Sequence, residues 1–241
     1  IVHNRISRNY SGAGVNCHYS NPLISHNGIY ENEGTGLYCF HSSPIITYND
    51  INNNTGAWVG GGIYCGANSN PLIEYNIIRE NQVNFWGGGI ACYSGSEPQI
   101  RNNLIKSNSA DQGVGIFSRD SNPIITDNII GRNIGKDAGG VLLNNSRALV
   151  SHNIIYRNEV SGLYGYGGGI LCNVGGANII VNNVIYGNIA SGLGGGIRCD
   201  GSSPFIINTI FWNNEAPEES EISINNSSPS FTYCDIEGGW E

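Results

Sequence analysis

The sequence predicts an all-β chain wound into stacked coils, and three observations carry that prediction. One short segment recurs every 22 to 30 residues or so. Its copies GAGVNC, GTGLYC, GGGIYC, GGGIAC, GGGILC and GGGIRC put Cys17, Cys39, Cys65, Cys92, Cys172 and Cys199 in one slot. GVGIFS and GGVLLN place Ser118 and Asn144 there as well. Two rows of asparagine keep the same period. No apolar spacing of three and four persists long enough for a helix, while runs of three to five alternating residues between Gly, Asn and Pro suit strands. Three strands per unit without a helix close as a single-stranded right-handed parallel β-helix, a β-solenoid. About nine to ten coils at the inter-strand spacing give a rod of roughly 45 Å.

Each unit repeats the same elements in order. The Gly-rich strand comes first, with Ile63 and Cys65 pointing inward in the third copy. A proline slot follows, at Pro22, Pro44, Pro71, Pro98, Pro123, Ala148, Asn178, Pro204 and Pro229. A second short strand, such as Leu72-Ile73, leads to the first asparagine row: Asn4, Asn27, Asn49, Asn76, Asn103, Asn128, Asn153 and Asn183, broken at Thr209 and Cys234. A third strand, such as Ile77-Ile78, leads to the second row: Asn9, Asn32, Asn54, Asn81, Asn108, Asn133, Asn158, Asn188 and Asn214. Asparagine tolerates a left-handed corner, and stacked amides bond from coil to coil. Both rows are therefore expected to be structural ladders, with the asparagines themselves in the left-handed conformation.

The cysteine file is expected to hold free thiols packed as small hydrophobes. Bridges 17–39, 65–92 or 172–199 are the alternative, but in-register neighbours aim their Cβ vectors the same way, which suits a disulfide poorly. No Cys/His spacing suggests zinc.

Composition narrows the function classes. The 241 residues are 12% charged and carry a formal charge of −8 with only 11 Lys and Arg, which argues against nucleic acid and anionic membranes as partners. No apolar run is long enough for a membrane span. There are 35 Gly and 35 Asn, and no Met. Residues 1–241 read as one continuous β-helix, expected to be a fragment or processed part of a longer secreted protein whose signal peptide lies outside this chain. The acidic stretch Glu215, Glu218, Glu219 and Glu221 around Pro217 reads as a solvated loop.

The stacked GGGIxC, NPxIxxN and NxIxxN segments resemble the right-handed parallel β-helix repeat superfamily, with its pectate-lyase-like fold, over essentially the whole chain. In particular they resemble the repeat regions of large secreted bacterial surface proteins. The superfamily includes pectate lyases and polygalacturonases, so the resemblance implies a link to saccharides. The hydrolase segments Asn-Thr-Asp, Asp-Asp, Gly-His-Gly and Arg-Ile-Lys are absent, and Lys106 and Lys136 are the only lysines.

The resemblance also implies a groove lined by the Gly-rich strand. Alternation then gives an outward row of Asn16, Tyr38, Tyr64, Ala91, Phe117, Leu143, Leu171 and Arg198. Beside it runs a row containing Phe40, Tyr93, Arg119, Asn145 and Asp200, and a glycine row through Gly36, Gly62, Gly89 and Val141 that would leave a stripe free of side chains. The variable loops add Trp58, Phe85, Trp86, Tyr164 and Tyr166. Tyr38, Trp58, Tyr64, Phe85, Trp86, Tyr93 and Phe117 are thus the expected ligand-binding residues, suited to flat sugar rings. The competing explanation is structural: glycines serving turns, and aromatics stacked as ladders.

Three function classes follow. The preferred one is a non-catalytic secreted or cell-surface module, structural or glycan-binding, with a polysaccharide or other surface glycan as partner and neither catalytic residue, cofactor nor metal. The alternative is a Ca²⁺-dependent polysaccharide lyase on an acidic glycan, with Arg119 or Lys136 as base and Asp111, Asp120 and Asp137 around the metal. Convergence of those five residues into one coordination sphere would separate the two. The third is an extracellular filament subunit associating end to end through open strand edges.

Overall fold

The computed structural model describes residues 1–56 and 58–239. Every paired strand in it is parallel to its copies one coil away. Sheet 1 has ten strands, from Arg5–Ser7 to Asp235–Ile236. Sheet 2, the Gly-rich one, has nine, from Val15–His18 to Ile222–Asn225. Sheet 3 also has nine, from Leu23–Ser25 to Ser230–Thr232. About nine coils result. A fourth sheet, not foreseen in the three-strand unit, joins six short strands of the variable loop between Thr55–Gly56 and Ile189–Ala190. No helix occurs among the described residues.

The core is one continuous file system inside the coil. Ile24, Ile46, Ile73 and Ile100 stack from sheet 3, Ile29, Ile51, Ile78 and Ile105 from sheet 1, and Leu37, Ile63 and Ile90 from sheet 2, all fully buried. Each such side chain contributes about 1.5–3 kcal/mol by leaving water. Cys17, Cys39, Cys65, Cys92, Cys172 and Cys199 lie inward in register, and all seven cysteines are free. Neighbouring sulfurs and burial push the Cys65 and Cys172 thiols well above their ordinary range, so these thiols stay protonated.

One position in that file differs from the sequence expectation. Ser118 pairs with Leu143, not Asn144, so Leu143 fills the cysteine slot and Leu142 the outward one. The local motif is Ala138-Gly139-Gly140, one residue earlier than the glycines alone suggest. Ala138 takes the left-handed site (φ 51°) that Gly60 takes in the third copy (φ 63°).

The asparagine ladders are present, and buried from Asn27 and Asn32 onward, but the left-handed corner belongs to the residue before each asparagine. His26, Tyr48, Tyr75, Asn102 and Asp127 have φ between 53° and 57°, and the asparagines following them do not share that conformation. What fixes asparagine is bonding. The Asn103 side-chain oxygen accepts from the Asn76 backbone N–H at 2.9 Å and from Asn76 Nδ2 at 3.1 Å. Asn103 Nδ2 donates to the carbonyl of Ile73 at 2.9 Å and to Asn128 Oδ1 at 3.0 Å. A short primary amide supplies two donor hydrogens and an oxygen that accepts twice at that depth. A serine ladder, missed in the sequence, closes the third corner: Ser42 N–H donates to Ser69 Oγ at 3.0 Å, and Ser69 N–H to Ser96 Oγ at 3.1 Å.

Candidate functional site

The glycine row is not an open stripe. A Cβ on Gly62 would lie 2.6 Å from the carbonyl oxygen of Gly89 and 2.7 Å from Ile78 Cγ2. These glycines are buried and permit close stacking of coils, so they offer no surface to a ligand.

Along the row that continues Tyr38 and Tyr64, the outward face of sheet 2 is open only near the N-terminus. Phe117 is 2% exposed, and Ala91, Leu142 and Leu171 are buried with it. They form a second apolar layer, roofed by Trp86, Tyr93, Tyr166 and Ala138. Trp86 is fastened there by its indole N–H donating to Gln112 Oε1 at 3.0 Å. At the far end Arg198, 6% exposed, lies under the Tyr166 ring at 4.2 Å and donates to Ser223 Oγ at 2.8 Å. The roof follows from coil length. Arg5 pairs with Gly28 and Gly28 with Asp50, steps of 23 and 22 residues, whereas Asp50 pairs with Ile77, a step of 27. The two short coils lack the loop residues that cover later ones.

What remains open is a cleft of about 500 Å³ whose lining includes Asn16, Glu33, Thr35, Tyr38, Trp58 and Tyr64. Tyr38 and Tyr64 stack in register at 4.7 Å and form its floor. Burial raises both phenols, that of Tyr64 up to about 12, so they remain neutral hydroxyls. Trp58, 65% exposed, forms the wall. Its ring is parallel to that of Phe85, 5.1 Å away with 9° between planes. The two rings therefore cover each other's facing sides, and Phe85 in turn lies 5.6 Å from the tilted ring of Trp86. Phe85 also lines a second cleft of about 550 Å³, together with Asp111 and Lys136. Phe117 has no accessible face, and Trp86 and Tyr93 belong mainly to the roof.

The residues of the lyase alternative separate into local pairs. Lys136 Nζ lies 2.9 Å from Asp111 Oδ1, and Arg119 Nε 3.6 Å from Asp120 Oδ2. Asp137 accepts the backbone N–H of Tyr166 at 2.8 Å, which anchors the roof. Burial raises its carboxyl above the ordinary range, an effect opposed by the Tyr166 and Ala138 N–H groups and by Arg198. Among the described residues no three His, Cys, Asp or Glu side chains group as a metal site. Asp111, Asp120 and Asp137 do not share one coordination sphere, which is where the sequence reasoning grouped them.

A further aromatic file escaped the sequence reasoning. His3, His26, Tyr48 and Tyr75 stack along the left-handed corner at 5.0, 5.1 and 5.1 Å. The signal was there in the residue preceding each asparagine of the first row.

Comparison with known proteins agrees with this architecture. No curated protein matches the chain, and no solved structure matches it. Residues 1–130, more than half of the sequence, match the family described as the right handed beta helix region, and with its stacked parallel coils the chain belongs to that family.

Proposed function

We propose that this β-helix is a non-catalytic, secreted or surface-displayed module that binds an extended saccharide in the cleft between Trp58 and the Tyr38–Tyr64 floor. The β-helix fold itself is compatible with structural, binding and enzymatic modules. The observation that carries the binding reading is Trp58: a large, exposed ring stacked on Phe85 that lines a cleft shared with hydroxyl and amide groups. Sugar rings combine an apolar C–H face with peripheral hydroxyls, which matches that lining. The composition, low in charge and rich in Asn, Gly, Ser and Tyr, supports the extracellular placement.

Titration of glycan oligosaccharides against intrinsic tryptophan fluorescence tests this. Trp58→Ala is expected to weaken binding about tenfold or more while the far-ultraviolet circular dichroism stays unchanged. Binding that survives Trp58→Ala would remove the cleft from consideration. Absorbance at 235 nm, recorded with acidic polysaccharides and Ca²⁺, tests the non-catalytic part, because unsaturated product would reverse it.

A further inference from the structure

The charge pattern around the cleft selects among saccharides. Sheet 2 and its loop edge carry three cations, and a carboxylate holds each one. Lys136 pairs with Asp111, Arg119 with Asp120, and Arg198 Nη2 lies 3.3 Å from Asp200 Oδ2. None of them lines the Trp58 cleft. Among the described residues the one charged residue lining it is Glu33, which is exposed and forms no salt bridge there. Asn16, Ser11 and the tyrosine hydroxyls are neutral, and Thr35 Oγ1 is already engaged with the Val59 carbonyl at 3.2 Å. The whole chain adds a net −8. A carboxylate or sulfate entering here would find no compensating cation, a like charge at Glu33 and a repulsive long-range field. A neutral sugar meets none of these costs, and the Glu33 carboxylate accepts hydrogen bonds from its hydroxyls.

Resting on the saccharide reading above, we infer that the cleft takes a neutral hexopyranose chain with mainly equatorial hydroxyls and discriminates against uronates and sulfated glycans. Equatorial substitution leaves a flat C–H face for the Trp58 ring, while the hydroxyls point outward to Asn16, Glu33 and Tyr38.

The experiment compares cellohexaose with hexagalacturonate by calorimetry on the whole chain and on Trp58→Ala and Glu33→Lys. Expected are binding of cellohexaose that falls at least tenfold in Trp58→Ala, and binding of hexagalacturonate at least tenfold weaker than that of cellohexaose. In Glu33→Lys the uronate-to-neutral affinity ratio should rise at least tenfold and fall again with added salt. If hexagalacturonate binds as tightly as cellohexaose and depends on Trp58, the saccharide reading stands and the neutral preference is overturned. An unchanged ratio in Glu33→Lys likewise overturns the charge argument. If neither oligosaccharide binds, both readings fail together.

Discussion

At the residue scale, a ladder asparagine and the residue before it do different work, and substitution separates them. Asn108 is buried; its oxygen accepts from Asn81 N–H at 3.0 Å, and its Nδ2 donates to the Ile78 carbonyl at 3.1 Å. Asn108→Gly would take the acceptor from the Asn81 amide groups, the side-chain donor from the Ile78 carbonyl and one of two donors from Asn133 Oδ1, a loss on the order of 3 kcal/mol. Ser107 is exposed and holds the left-handed conformation, φ 55°, which costs a side-chain-bearing residue roughly 1–2 kcal/mol. Ser107→Gly should therefore raise stability by about 0.5–1 kcal/mol once the greater freedom of the unfolded chain is subtracted. Denaturant unfolding of both variants checks the pair. A loss at Asn108→Gly no larger than the change at Ser107→Gly would show that the amide bonds carry no stability. The asparagine rows were legible because identity and spacing repeat locally. The left-handed residue was not, because it varies freely among His, Tyr, Glu, Ser, Asp and Arg.

At the element scale, the second ladder ends on a carboxylate. Asn214 donates its backbone N–H to Glu221 Oε1 at 3.0 Å and its Nδ2 to Glu221 Oε2 at 2.6 Å. Burial raises the Glu221 carboxyl; the Asn214 donors oppose the shift, and nearby Glu237 adds to it. A carboxyl raised in the folded state binds its proton more tightly folded than unfolded. Its contribution to stability is thus full below the ordinary glutamate value and is lost as pH rises through the raised one. Lowering pH from neutral into the window just above the ordinary value of 4.5 should tighten the last coil. Hydrogen-exchange protection of the Asn188 and Asn214 amides, corrected for intrinsic rates, should rise over that window in the wild type and stay flat in Glu221→Gln. A rise of the same size in Glu221→Gln would assign the effect elsewhere. This cap was hidden in a stretch the sequence presented as a solvated acidic loop, since charge alone does not tell a bonded carboxylate from a free one. The roof over Phe117 was hidden for a related reason. Strand alternation assigns a side chain to a face, but whether that face is open depends on loops such as Tyr166, whose docking on Asp137 and Arg198 has no period to betray it.

At the scale of the whole molecule, each coil touches chiefly its two neighbours, so stability is close to a sum of stacking terms and a complete coil is dispensable. The register makes this testable. Ile63 pairs with Ile90, Leu72 with Gln99 and Ile77 with Leu104, each a step of 27 residues. Deleting residues 77–103 joins Asn76 to Leu104 and recreates the Asn103–Leu104 junction. Sheet 2 then brings Ile63 onto Ile116 and Cys65 onto Ser118, pairs of the kind Ile90 and Cys92 already make with those residues. The shortened chain should keep its β spectrum, remain monodisperse, and lose about 4.8 Å of length. The deletion removes Phe85 and Trp86 but no residue lining the Trp58 cleft, which is drawn from residues 11–64. Cellohexaose binding should therefore persist and still depend on Trp58, weakened to the extent that Phe85 holds the ring upright. Aggregation or loss of the β spectrum would show that the chain folds around a closed core whose coils are not interchangeable. A folded product that binds cellohexaose independently of Trp58 would place the ligand outside this cleft.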